Sequence, residues 1–451
     1  MALPPRFRAL RDNLTASLWL LPTVSALIAI VGGSWLATVE VEPSGPLGRW
    51  VFSGTPAGAR ALLETVAGSV ITVTSLTFSL TVVALQLAAT QYTPRLLRTF
   101  LSDRGTQVVL STFVATFAYS ITVLRTVRSE GDGITANVPQ VALTVETALA
   151  LASVAALVYF IHHITQKIRV DSILDDVSKG TVAAVAALLK PHPQGLVDSG
   201  ALPSPPPHAT GLRAKGSGVM QGVAVERLMR VAVEHDVVFR IRRTVGERVI
   251  DGTVLAWAWP CEGRDPLDAR DTDALAAAVN RAVRCGSERT ISGDPSFGMR
   301  QLVDIALRAL SPSLNDPTTA VDTVGTLAGV LRELATEPVG HQLLQHEGRL
   351  HVALPRPAFA DYVGLCVNQV ASAGASDLLV VRALLRLLGD LGEVVHDGGR
   401  RQALRRAVER VRQEARAQLQ MPQDLAAAES AAREALVTID GRPSAAQAFL
   451  L

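Results

Sequence analysis

Four apolar windows occupy the first third of the chain: about Ser17 to Thr38, Leu62 to Thr90, Val108 to Leu124 and Val138 to Ile161. A helix needs roughly 17–25 predominantly apolar residues to cross the hydrocarbon core, so each window is long enough to span a bilayer. Charged residues nearly vanish from these windows and become dense after residue 165. The overall composition, 48% hydrophobic yet 19% charged over 451 residues, therefore averages a membrane part and a water-soluble part. The expected fold class is membrane α-helical: four transmembrane helices over residues 1–165, followed by a C-terminal cytoplasmic α+β domain. The first window is long and no small-residue cleavage site follows it, which favours a retained span over a secretory signal.

Orientation follows from the placement of basic residues. Arg6, Arg8 and Arg11 precede the first span, Arg95, Arg98 and Arg104 lie between the second and third, and Lys167 and Arg169 follow the fourth. All fall on one side. The opposite loops carry Arg49, Arg60, Arg125 and Arg128. The bias places both termini in the cytoplasm of a bacterium, with the chain in the inner membrane and the lipid bilayer as its first partner. A net charge of +2 gives no electrostatic reason to expect nucleic acid as a partner. Cys261, Cys285 and Cys366 show no CxxC spacing and read as buried small hydrophobes in a reducing compartment, with neither a disulfide nor a metal expected.

The second span is unusual in being polar on two faces. At about 100° per residue, Glu64, Gly68, Thr72, Ser75, Ser79 and Gln86 fall on one arc of about 80°, while Thr74, Thr77 and Thr81 gather on the opposite face. A helix facing lipid gains nothing from either arc. Hydroxyls bonding back to the helix or to neighbouring spans explain the pattern structurally. Glu64, Thr72, Ser75, Ser79 and Gln86 as pore-lining or helix-packing residues are the functional reading, with ions as possible ligands and Glu64 at the mouth of an oligomer. Arg60, one turn away, offers Glu64 a simple ion-pair partner instead. At the other end Gln91, Pro94, Arg95 and Arg98 read as an interfacial elbow in which Thr93 and Pro94 restart a helix. His162 and His163 with Asp171, Asp175 and Asp176 do not make a metal site, because adjacent histidines point to different sides of a helix.

Beyond the fourth span the sequence predicts a helix continuing from Thr165 to Leu189, coupling membrane and cytoplasm, and then a Pro-rich linker; together these cover 166–210. A small β-rich module over 211–262 follows, with strands at Gly218–Val225, Val237–Arg243 and Arg248–Trp259 around a short helix, Glu226–Glu234. Residues 263–451 read as mostly helical, apart from a hairpin turning at Glu347-Gly348. His341, His346 and His351 flank that hairpin at spacings of five, which suits no standard metal site and predicts surface polar residues.

The densest motif lies at 289–320. Asp294-Pro295 and Asp316-Pro317 each supply an N-cap and a first helical residue, and Asn315 sits where a left-handed conformation is easiest to accept. Capping accounts for these residues. The functional alternative joins Arg300, Asp304, Arg308, Ser311, Pro312, Asn315, Asp316 and Pro317, with Arg289 and Asp294, into a charged cluster for an ion, a ligand or another subunit.

Two segments, SLTFSLTVVALQLAATQYTPRLLRTFLSD and FGMRQLVDIALRALSPSLNDPTTA, make the chain resemble a bacterial family of predicted membrane proteins known as domain of unknown function 2254. Gln86, Gln91, Pro94 and Arg95 match its Gln-rich Pro-Arg elbow, and Ala309 to Pro317 match its Ala-Leu-Ser-Pro…Asn-Asp-Pro segment. Ser313 and Thr318 depart from the family's usual residues. The resemblance covers nearly the whole chain and implies an architecture but no activity.

No nucleophile–base pair, phosphate loop or metal spacing can be assembled, so an enzyme is not expected and no cofactor is implied. The expected function is an oligomeric ion channel or channel-like conduit, a homo-oligomer with a cytoplasmic regulatory domain. A noncatalytic scaffold or signal-transmitting sensor is the alternative.

Overall fold

The structure, a computed structural model, describes residues 19–39, 54–91, 103–128, 138–189, 195–198, 202–261 and 267–441. The chain divides into two compact units, Met1–Ser172 and Ile173–Leu451.

The first unit is helical: α1 (Leu20–Leu36), α2 (Pro56–Gln91), α3 (Arg104–Leu124) and α4 (Gln140–Lys167). Three stretches, Pro56–Leu87, Arg104–Leu124 and Gln140–Lys167, are long and apolar enough to cross a membrane. The helix in the first apolar window has 17 residues and falls below that length. Helix-to-helix packing is carried by Ala59, Leu63, Tyr119, Val123, Ala142 and Leu143 towards one end, and by Val70, Val109, Phe113 and Phe160 farther along. The outer surfaces are apolar as well, with Ile71, Phe78, Leu151, Val154 and Val158 exposed. Apolar faces both inside and outside are what a bilayer solvent selects.

The continuous helix expected over 165–189 is interrupted. Helix α4 closes with Ile168 N–H bonded to the Ile164 carbonyl and Arg169 N–H to the Gln166 carbonyl, and a separate helix, α5 (Val170–Leu188), follows. The tightened i→i−3 contact at Arg169 ends one helix, and Asp171 in the first turn of the next favours a fresh N-terminus there.

The second unit holds more sheet than a module confined to 211–262 would. Its six-stranded sheet has the order β1 (Gly195–Asp198), β8 (His341–His346), β9 (Arg349–Leu354), β4 (Val237–Ile241), β6 (Val254–Pro260), β2 (Thr210–Arg213). All its pairings are antiparallel except β4 with β9. A smaller sheet is ordered β5 (Arg248–Val249), β3 (Gly218–Val223), β7 (Val283–Gly286). Helices α6 (Val225–Glu234) and α7 (Ala269–Ala282) bury Leu228, Leu275 and Val279 in a core shared with Phe239, Ile241 and Val352. The expected hairpin turn is present, with Glu347 and Gly348 both at positive φ. A helical half follows: α8 (Pro295–Ala309), α9 (Pro317–Ala335), α10 (Phe359–Gly374), α11 (Leu378–Val394), α12 (Gly398–Gln418) and α13 (Pro422–Ile439).

Candidate functional site

Helix α2 turns its two polar arcs in opposite directions. Thr77 and Thr81 are buried against the unit's own helices and Thr74 is half-buried, whereas Glu64, Thr72, Ser75, Ser79 and Gln86 are all exposed on the far side. Several hydroxyls fold back on the helix, Thr72 Oγ1 to the Gly68 carbonyl at 2.8 Å, Thr74 to Val70 at 2.6 Å and Thr81 to Thr77 at 2.8 Å. Arg60 does not pair with Glu64. Its Nη2 donates to the Val127 carbonyl at 3.1 Å, because the start of α2 lies beside the end of α3. Gln91 is the last residue of α2, while Pro94, Arg95 and Arg98 lie outside the described residues.

The most constrained polar groups of the first unit lie on α3 and α4, which run antiparallel. Ser120 Oγ lies 2.5 Å from Glu146 Oε1 and 2.8 Å from the Thr116 carbonyl, two acceptors that share its single hydroxyl proton. Thr116 and Ser153 hydroxyls meet at 3.1 Å, and Tyr119 donates to the Ala142 carbonyl at 3.0 Å. Glu146 is fully buried, and its second oxygen, Oε2, has no hydrogen-bond partner among the described residues. At the other end of the seam His163 Nε2 lies 2.7 Å from Asp103 Oδ2, and Lys167 Nζ lies 3.9 Å from Oδ1. Asp103 also caps α3 by accepting from the Thr106 N–H at 2.8 Å. Tyr159 stacks on the His163 ring at 5.3 Å. Gly105 makes this approach possible, since a Cβ there would lie 2.5 Å from His163 Nε2. With a rise of 1.5 Å per residue, the polar ladder from Asp103 to Ser120 extends about 25 Å along α3.

Neither end of this ladder was picked out from sequence. Glu146 is the single acid of the fourth apolar window, and a lone carboxyl inside a span is costly enough to mark a site by itself. His163 is hydrogen-bonded to Asp103, not part of a set with Asp171, Asp175 and Asp176; Asp175 instead pairs with Lys179 at 2.5 Å.

In the second unit the motif at 289–320 resolves into local pairs instead of one cluster. Arg289 holds Asp294 through Nε at 3.0 Å and Nη2 at 2.8 Å. Burial pushes the Asp294 carboxyl up from its ordinary value, against the pull of Arg289. Arg300 pairs with Asp304 at 2.9 Å and also donates to Gln369, with Arg308 a further turn along the same helix. Asp316 caps α9, accepting from Thr319 Oγ1 at 2.6 Å and Thr319 N–H at 3.1 Å, and this capping holds its carboxyl below the usual range. Asn315 has φ of 48°, the left-handed conformation its position demands, and Ser311 Oγ closes the preceding turn on the Arg308 carbonyl. Pro312 is exposed in the connection, and Pro317 opens α9.

Two expectations about single side chains are corrected. His351 is buried, not a surface residue, because β9 lies beside β4 and its Nδ1 faces the Val237 carbonyl at 3.1 Å. Cys285 is exposed on the outer strand of the small sheet, while Cys261 and Cys366 are buried. Asp236, Cys261 and His351 bring one ligand atom each within 4.8 Å of one another, the one such group able to hold a metal among the described residues.

Comparison with known proteins decides the family. A family described as predicted membrane protein, DUF2254, matches residues 15–390. The chain belongs to the DUF2254 family. Uncharacterized proteins of Mycobacterium bovis and Mycobacterium tuberculosis are 39% identical to it over 400 residues, covering 88% of this chain and 76% of theirs. No solved structure matches. Membership agrees with the apolar helices: this DUF2254 chain is a membrane protein whose C-terminal region combines strands and helices.

Proposed function

We propose that this family member is an oligomeric, channel-like conduit of the bacterial inner membrane. In this reading α1 completes a set of four spans, both termini are cytoplasmic, and α2 lines the pathway in a noncatalytic homo-oligomer regulated by its C-terminal unit. The observation that carries the proposal is the exposure of Glu64, Thr72, Ser75, Ser79 and Gln86 on the face of α2 turned away from its own bundle. Hydroxyls bonded back to the helix reduce the cost of facing lipid without removing it, and a carboxylate adds several kcal/mol more the deeper it lies. Another copy of the chain, or a water-filled path between copies, removes that cost.

Reconstituted protein should conduct ions, and Ser75→Leu with Ser79→Leu should reduce the flux at least several-fold. Flux unchanged by both substitutions contradicts the assignment of α2, and absence of any flux favours the noncatalytic scaffold or sensor. That alternative has lost its main warrant, the uninterrupted helix across residues 165–189.

A further inference from the structure

The second unit contains a cleft of roughly 200 Å³, open to solvent, between the small sheet, the start of α8 and the chain entering α10. Its walls are of two kinds. Leu188, Val223, Val225 and Val245, all half-buried, supply apolar surface, and Arg243, Arg284 and Arg356 supply three guanidinium groups. The one acidic residue among the described residues of the lining, Asp294, is occupied by Arg289. The lining therefore carries uncompensated positive charge.

Two of the three arginines have no carboxylate partner among the described residues. Arg356 is half-buried, donates through Nη1 to the Leu188 carbonyl at 3.3 Å, and is anchored by its own N–H on His341 Nδ1 at 3.2 Å. A carbonyl satisfies one N–H and leaves the charge in place. Burial lowers the Arg356 pKa from its ordinary value, the mark of a cation held partly out of water. Arg284 stands opposite Gly222 in the β3–β7 ladder, and a Cβ at 222 would lie 2.8 Å from its Nη2. The glycine lets the guanidinium reach across the strand at the cleft. Arg243 is more weakly tied, 3.9 Å from Glu247.

We propose that this cleft binds a soluble phosphate-bearing small molecule with an apolar moiety, of the nucleotide class. Guanidinium forks match phosphate oxygens in geometry and charge. The apolar wall receives a ring or chain, and the open side leaves room for the rest of the molecule. Phosphate on a lipid headgroup shares the same chemistry, so the test must separate the two sources. Binding here does not rest on the conduit reading, and either can fail alone.

Calorimetric titration of the detergent-solubilised full chain provides that test, with ATP, pyrophosphate, adenosine and a dispersed short-chain phosphatidic acid as probes. ATP should bind saturably, pyrophosphate more weakly, and adenosine at least tenfold more weakly than ATP. Arg356→Gln and Arg284→Gln should each weaken ATP at least tenfold, with Arg284→Lys in between. Arg284 is exposed, so its variants should keep the ligand-free unfolding temperature of the parent. Wild-type affinity in Arg284→Gln, or no saturable binding of either ATP or pyrophosphate, overturns the proposal. Binding of phosphatidic acid alone overturns its assignment to a soluble ligand.

Discussion

Ser120 and Glu146, on adjacent helices and both fully buried, are joined by a 2.5 Å hydrogen bond from Ser120 Oγ to Glu146 Oε1. A double-mutant cycle with Ser120→Ala and Glu146→Leu, read by thermal unfolding in detergent, should give a coupling of about 0.6 kcal/mol, the average for hydrogen bonds between membrane helices, and at most about 1.7 kcal/mol. Strictly additive effects would mean that the two side chains do not meet in the folded protein.

Gly105 controls the contact at the other end of the same seam. Gly105→Ala places a methyl 2.5 Å from His163 Nε2 and should displace the ring from Asp103, destabilising the fold by about 1–3 kcal/mol as overpacking does. In a His163→Ala background the same substitution should cost little. An equal loss in both backgrounds would show that His163 is not what the glycine makes room for.

The helical frame was legible in sequence because its causes are local. Asp316 and Pro317 start α9, Glu347-Gly348 turns the hairpin, and Asn315 accepts a positive φ, each for reasons contained within a few residues. What sequence left hidden depends on distant partners. The opposite directions of the two arcs on α2 follow from the packing of Val66, Val70 and Val73 against Val109 and Phe113, which fixes the face the helix turns inward. The pairing of Asp103 with His163 joins residues 60 apart, and the β8–β9 hairpin pairs with β1 on one side and β4 on the other, both far away in the chain. The break at Ile168–Arg169 carries no proline or glycine to announce it.

Asp316→Ala should lower stability by about 1 kcal/mol at neutral pH, the ordinary value of an N-cap. The Asp316 carboxyl is held below the usual range by its bonds to Thr319, so its contribution is present above the unfolded value of about 3.9 and is lost as pH falls through the folded value. Thermal unfolding of parent and variant should therefore converge in acid. A gap independent of pH would contradict the capping role.

At Asn315, with φ of 48°, replacement by glycine should be nearly neutral, whereas Asn315→Val should cost about 1–2 kcal/mol through the left-handed backbone. Chemical denaturation of the full chain measures both. Equal stability of the two variants would place the residue in an ordinary conformation.

The central claim is that another copy of the chain covers the exposed polar arc of α2. It is tested most directly by cysteine cross-linking in native membranes, with Cys261, Cys285 and Cys366 replaced by serine. Ser75→Cys and Ser79→Cys should form covalent dimers on mild oxidation, and Leu151→Cys, on the apolar outer face of α4, should not. Monomers alone at all three positions, or equal dimer yield at residues 75 and 151, would contradict the account.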